Sequence, residues 1–260
     1  SNQSKAPSSI NMVGNKLEKN IISDLATTLS GESGIAIRTS GQATQRPILR
    51  GYSGDRFLLT EDGITGGDLS NTSIDHAVSI DMASFSKVEI IRGPEALLYG
   101  SNTIGGVIDV SRQIDPGARF KKASFQSLIG SESSNSSLFG NVTCYIPFNY
   151  DHQFKFSILN REAKDEISSI GPIKNSAISN NEISANYSYF GKTFRTTFSY
   201  EQLEMDYGIP GSPEGHIDGI DIEMNNNTHK FNIHKILKAT KKTSARRLVP
   251  RNIAIKISLK

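Results

Sequence analysis

The sequence predicts an α+β domain over residues 17–115, followed over 116–237 by antiparallel transmembrane β-barrel strands that form an incomplete barrel. Three observations carry this reading. The stretch Val88–Val110, VEIIRGPEALLYGSNTIGGVIDV, consists of two β-rich runs separated by closely spaced breaks at Gly93-Pro94, Gly100 and Gly105-Gly106. Glycine serves where the backbone turns with positive φ or passes close to another segment, and proline interrupts a regular element. From Ser137 onward, apolar and polar residues alternate with a period of two over segments of about ten residues, the mark of barrel strands that cross a membrane. The connections between those segments are short and long in turn, as periplasmic turns and outer loops are.

Residues 1–16 are polar, and a loosely ordered segment is expected there. A helix is expected over Asn20–Leu29, where Ile21, Ile22, Leu25 and Leu29 share one face and Gly31 supplies a stop. Ile35–Arg38, Pro47–Arg50 and Arg56–Thr60 read as short strands, and Asp62-Gly63 as a tight turn. Lys87–Arg92 and Gly106–Ser111 complete the domain, and Pro116-Gly117 marks its boundary.

The first barrel strand is expected at about Ala123–Gly130. In Ser137–Ile146, Leu138, Gly140, Val142, Cys144 and Ile146 face one way, and Phe139, Asn141, Thr143 and Tyr145 the other. Similar alternation runs through Phe154–Ile158, Ile183–Tyr189, Phe194–Tyr200 and Phe231–Ile233. With the first domain on the periplasmic side, Ser131–Ser136, Glu162–Asn181 and Gln202–Thr228 are outer loops, while Pro147–His152 and Gly191-Lys192 are inner turns. About six such strands cannot enclose a folded domain. From Met224 to Lys260 there are ten Lys/Arg and no Asp or Glu, and residues 238–260 read as an aberrant basic tail.

Composition narrows the class. The 260 residues carry a net charge of +3, enough chain for more than one domain. Mean hydropathy is −0.34, and no apolar run reaches the roughly 18 residues of a membrane helix. Tryptophan is absent, so Phe and Tyr must serve at any membrane interface. Cys144 is the one cysteine and reads as a small apolar strand residue. Ser1–Ile10 lacks the apolar core of a signal peptide, so the natural N-terminus is expected to lie elsewhere. Gly93–Gly106 lacks the Gly-Lys-Ser/Thr of a P-loop, and no H-E-x-x-H or G-x-S-x-G motif occurs. Glu89, Glu95 and Asp109 read as solvated or paired carboxylates. No enzyme and no cofactor are expected.

Val88–Val110 resembles the end of the plug domain of TonB-dependent outer-membrane receptors. Arg46–Gly51 (RPILRG) and Glu61–Ile64 (EDGI) look like the earlier plug motifs, in the usual order. Ile74–Asp81 (IDHAVSID) is similar to a segment of one broad branch, and Asp206–Gly211 (DYGIPG) resembles a loop signature of that branch, which includes zinc-linked receptors. The resemblance implies a plug inside a barrel of about 22 strands. It implies that Arg50, Gly51, Asp62, Gly63, Arg92, Gly93, Pro94, Tyr99, Gly100, Gly105 and Gly106 serve plug folding and plug–barrel contact rather than ligand binding. It further implies active uptake of a scarce metal or metal chelate (siderophore, haem or zinc) across the bacterial outer membrane. The partners are then outer-membrane lipid, the ligand and the TonB complex of the inner membrane, with no nucleic acid. The complex grips a segment preceding the plug, and none is identifiable in residues 1–16.

Of the five histidines, His216 lies in the longest expected loop beside Glu214 and Asp218. Such a set can ligate a borderline cation such as zinc, although the plainer reading is a surface histidine. Tyr207 and Tyr189 are expected on loops, either in a siderophore or haem site or as interfacial anchors. Arg50, Arg92, Glu89 and Glu95 are expected to pair with the polar inner face of the wall. Two rivals stand beside the receptor: a surface β-sandwich binding protein or adhesin, and a nucleic-acid module using Lys238–Lys260.

Overall fold

The computed structural model describes residues 9–21, 24–65, 76–100, 103–115, 117–211, 222–237 and 253–257. The first domain contains β1 (Ile10–Val13), α1 (Asn15–Glu18), α2 (Leu25–Leu29), β2 (Ile35–Arg38), β3 (Arg46–Leu49), β4 (Leu58–Glu61), β5 (Ile64–Thr65), β6 (Lys87–Ile91) and β7 (Val107–Ser111). Its main sheet has the order β1-β6-β7-β4-β5, with β4 parallel to β7 and the other neighbours antiparallel. β2 and β3 form a separate hairpin. The register places Ile90 opposite Ile108 and Val88 opposite Val110, all four buried on one face. Met12, Leu17, Leu25, Leu29 and Leu49 close the core over that face.

Two local signals act as read. Asp62 and Gly63 both have positive φ, 50° and 77°, and join β4 to β5. That is the requirement of a type I′ turn, and glycine meets it without a Cβ penalty. Gly106 has φ of 125°, and a Cβ there would stand 2.7 Å from the Ile91 carbonyl oxygen and 3.0 Å from Leu49 Cδ2. Gly106→Ala is therefore expected to destabilise the chain by about 3 kcal/mol, through backbone strain and overpacking together. Urea unfolding checks this.

The N-terminal expectations need correction. Ile10–Val13 pairs with β6, and Asn15–Glu18 is helical, so the part of 1–16 that is described is ordered. Met12 and Leu17 supply the reason, because both are buried in the core. The helix expected over Asn20–Leu29 is the shorter α2, because Asp24 caps it: the Thr27 N–H donates to Asp24 Oδ1 at 2.7 Å. Ile22 lies outside the described residues.

Burial pushes the Asp24 carboxyl from 3.8 to about 6, against the pull of its capping hydrogen bonds. The folded chain thus holds this proton more tightly than the unfolded one. The linked stabilisation is complete below pH 3.8 and lost as pH rises through about 6. At about 1.4 kcal/mol per unit, it amounts to at most about 3 kcal/mol. Asp24→Asn keeps the cap and should flatten the pH dependence of unfolding between those values, as denaturant titrations at several pH values will show.

The wall follows: β8 (Ser124–Glu132), β9 (Ser137–Pro147), β10 (His152–Ala163), β11 (Ile167–Ser168), β12 (Gly171–Pro172), β13 (Ile178–Phe190), β14 (Phe194–Ile209), β15 (Ile222–Leu237) and β16 (Ile253–Ile257). Seven of these form one antiparallel sheet in the order β16-β15-β14-β13-β10-β9-β8, and β11–β12 is a small hairpin in the loop after β10. The alternation holds as read. Phe139, Asn141 and Tyr145 are buried, while Leu138, Val142 and Ile146 are exposed. Phe154, Phe156, Ile158, Ile183, Phe198 and Phe231 extend the exposed apolar face, whereas Lys155, Arg161, Glu182, Glu201 and Lys230 are buried on the other. Apolar outside and polar inside is the barrel pattern of a membrane wall and the inverse of a water-soluble sandwich.

Three expectations about the loops change. β14 and β15 run well into Gln202–Thr228, so that connection shrinks to residues 210–221, and Asp206–Ile209 is the end of a strand. Leu203, Met205 and Tyr207 point inward and pack together, while outward Glu204 and Asp206 gave this strand a loop-like composition. Likewise β10 reaches Ala163 and β13 begins at Ile178. Finally, Ile253–Ile257 pairs with Phe231–Lys235, so this part of the expected basic tail is a strand. Residues 238–252 lie outside the described residues.

Candidate functional site

The first domain sits against the inner face of β8–β15, and the seam between them is graded. At the end where the long loops emerge it is largely dry. Ala43 and Ala77 of the first domain pack with Ala163, Ile178, Leu203, Met205 and Tyr207 of the wall. The Ala77 N–H donates to the Tyr207 hydroxyl at 3.0 Å. Gln42 Nε2 donates to the Lys164 carbonyl at 3.0 Å, and its Oε1 accepts from Asn135 at 2.8 Å.

Midway along the strands the seam is ionic. Arg161, fully buried on β10, donates to Asp81 through Nε at 2.8 Å and Nη2 at 3.1 Å. Asp81 also accepts from Asn180 Nδ2 at 2.8 Å and from the Ala83 N–H at 3.0 Å. The Arg161 guanidinium lies 4.1 Å from the Phe139 ring centroid and reaches Glu132 at 3.0 Å. A second cluster centres on Arg112, just past β7. It pairs with Glu182 on β13 and, at 2.7 Å, with Glu201 on β14. Lys230 on β15 bridges Glu201 at 3.3 Å and Glu61 of β4 at 2.6 Å. A buried cation costs several kcal/mol unless partnered in this way.

Toward the short turns the seam holds a gap. A cavity of about 260 Å³ separates Asp62, Glu89, Tyr99 and Asp109 of the first domain from Lys155, Asn186 and Arg195 of the wall. Burial raises the Asp109 carboxyl above its ordinary range, while Thr60, the Gly63 N–H and Ser111 donate to it. Tyr99 is pushed up to about 12 by burial and the nearby carboxylates. At the opposite, loop end lies an open cup of about 640 Å³. Thr39, Ser40, Gly41 and Gln45 form its floor, with Glu166, Ile173 and Ser176 from the loop after β10 and Pro210-Gly211 after β14. Thr39, Ser40, Gln45 and Ser176 place hydroxyl and amide groups beside Ile173 and Pro210 in its lining, so the cup offers both hydrogen bonds and apolar contact.

The motif residues occupy the turns and close approaches of the first domain. Arg50 and Gly51 follow β3 with φ of 53° and 82°, and Gly93-Pro94 opens a 3₁₀ segment that ends at Tyr99-Gly100. Gly105 lies against Tyr52 and Arg56. Arg92 donates to the Ser33 carbonyl at 2.6 Å, and Glu89 pairs with Lys87. Ion pairs to the wall come from Glu61, Asp81 and Arg112. A signal existed on the wall side, since Arg161, Glu182, Glu201 and Lys230 are charges at inward positions of alternating strands. Tyr207 is inward on β14 rather than on a loop. Tyr189 is outward on β13, with its ring 5.0 Å from that of His152, in the position of an interfacial anchor. His216, Glu214 and Asp218 lie outside the described residues. Among the described residues, no group of three or more His, Cys, Asp or Glu could hold a metal ion.

This geometry sets a small mixed sheet against the polar face of an open membrane wall. Residues 2–107 match the family described as TonB-dependent Receptor Plug Domain. The "Hemin receptor" of Yersinia pestis is 32% identical over 120 residues, covering 44% of this chain and 18% of that protein. The "Vitamin B12 transporter BtuB" of Photobacterium profundum is 35% identical over 77 residues, covering 30% and 12%. Among solved structures, the "Copper transporter OprC" superposes with a TM-score of 0.73 at 17% identity over 89% of this chain and 34% of that one. The siderophore receptor PirA from Pseudomonas aeruginosa gives 0.65 at 15% identity, over 90% and 38%. Residues 2–107 are thus a TonB-dependent receptor plug domain, and β8–β15 share the fold of the wall strands in these solved receptors. The chain spans about a third of the length of these solved receptors and less than a fifth of these curated relatives.

Proposed function

We propose that this chain is the plug and opening wall of an outer-membrane receptor that imports a metal chelate, with haem or a siderophore as the class of ligand. The observation that carries the reading is the plug's ionic seam with a wall whose apolar face points outward. A plug so seated blocks free passage. Ligand seated in the cup touches plug and loops at once, so its binding free energy can bias the plug between two positions. The TonB complex, as the inner-membrane partner, then draws on the biased state. The relatives named for hemin, and neighbours named for siderophores, support chelate uptake. Zinc rests on the resemblance of Ile74–Asp81 and Asp206–Gly211 and on His216, Glu214 and Asp218; these last three lie outside the described residues, and the strand over Asp206–Ile209 weakens the loop signature.

The test is growth of iron-starved cells carrying the receptor that contains this chain. Haemin and ferric siderophores are supplied separately, with zinc-starved cells as a parallel arm. Rescue by one iron source, lost when TonB is deleted, is expected. Rescue by none, or rescue that survives without TonB, would overturn the reading.

A further inference from the structure

We propose that the segment joining plug to wall, together with the β9–β10 turn, is a docking surface for the headgroups of anionic phospholipid at the periplasmic edge of the membrane. This inference rests on the reading of the wall's outer face as lipid-facing.

Phe148 and Tyr150 stand on this turn with 79% and 78% of their surface exposed. Rings left bare at a turn tip are costly in water and favourable where a hydrocarbon layer meets its headgroups. The turn continues the lipid-facing stripe: Ile146 and Phe154 are register partners, both exposed, and His152 and Tyr189 close that stripe just above it.

The joining segment is pinned onto the same turn. The Arg119 guanidinium lies 4.2 Å from the Tyr150 ring centroid and 4.7 Å from that of Phe190. It donates to the Tyr150 carbonyl at 3.0 Å and to the Asp151 carboxylate at 3.2 Å. Phe120 packs on Tyr145 with ring centroids 4.3 Å apart. Lys121 and Lys122 follow at once, both exposed. Arg119 already neutralises Asp151, and Lys121 and Lys122 outnumber the segment's one other exposed carboxylate, Asp115, leaving this surface net positive. Their long stems let the ammonium groups reach phosphate while the neighbouring rings enter the interface.

The chain contains no tryptophan, so Phe148→Trp makes a single fluorescent reporter. The variant chain is titrated with phosphatidylcholine vesicles, with and without phosphatidylglycerol. The emission is expected to shift to the blue with far less lipid when phosphatidylglycerol is present. Lys121→Gln with Lys122→Gln should weaken that partitioning by about 5-fold per lysine, about 25-fold for the pair, as should high salt. No shift, an equal shift on neutral vesicles, or no response to removal of the lysines would overturn the proposal. Phe198→Trp, on the apolar stripe of β14, separates the two readings. If it shifts while Phe148→Trp does not, the docking surface alone fails. If Phe198→Trp stays unshifted in every vesicle, the lipid-facing wall fails and takes the docking surface with it.

Discussion

Replacing Asp81 by alanine is expected to cost the chain about 3–5 kcal/mol of unfolding free energy. Asp81 is fully buried and accepts four hydrogen bonds: two from Arg161, one from Asn180 and one from the Ala83 N–H. Its loss strands the guanidinium of Arg161, whose side chain is also fully buried. Glu132 would remain as partner, at 3.0 Å. The penalty is that of a buried charge, not of a lost contact, and this makes the double variant informative. Asp81→Ala with Arg161→Met removes both charges and should recover most of the stability. Equilibrium denaturation of the two single variants and the pair measures the coupling. A double variant as unstable as the sum of the singles would show that the pair does not act as a unit.

Arg112→Met is expected to have an effect of similar size, by a different route. Arg112 joins Glu182 and Glu201 across two wall strands, and Lys230 then carries the network back to Glu61 of the plug. Without the guanidinium, Glu182 loses its ion-pair partner, Glu201 and Glu61 are left to share Lys230, and the plug loses its ionic tie to β13. The loss should be about 3–5 kcal/mol, with faster hydrogen exchange in β6 and β7 than in the wall strands. Arg112→Lys should rescue little, since an ammonium group cannot present a planar fork to two carboxylates. Hydrogen exchange followed strand by strand distinguishes a loosened plug from a globally weakened chain.

Much of this architecture was legible residue by residue. Asp62-Gly63 announced its turn because few other pairs tolerate two positive φ values in succession. The wall announced itself at Leu138–Ile146 and Phe154–Ile158, where a strict period of two in a half-lipid, half-polar setting leaves no helical alternative. The misses share a physical cause: they depend on contacts distant in sequence. Ile10–Val13 is too short and too mixed to read as a strand, and only the open edge of β6 makes it one. Glu204 and Asp206 look like loop residues until their inward neighbours Leu203, Met205 and Tyr207 are seen against Ala77 and the loop end of the plug. Asp81 gives no local sign that its partner lies 80 positions away. The cup is likewise invisible to local reading, since Thr39, Glu166 and Pro210 meet only when the strands have paired.

The graded seam also fixes the order in which its two faces can come apart. A cavity already parts Asp109 from Lys155 and Arg195 at one extreme, so the first steps of separation there begin at an existing gap. Each ionised group exposed next trades a protein partner for solvent, a nearly balanced exchange, whereas the patches around Ala77 and Tyr207 and around Phe139 and Leu159 must be wetted at the full cost of bare hydrocarbon. Such a joint opens from the gapped extreme, and the buried hydrocarbon farther along acts as its clasp.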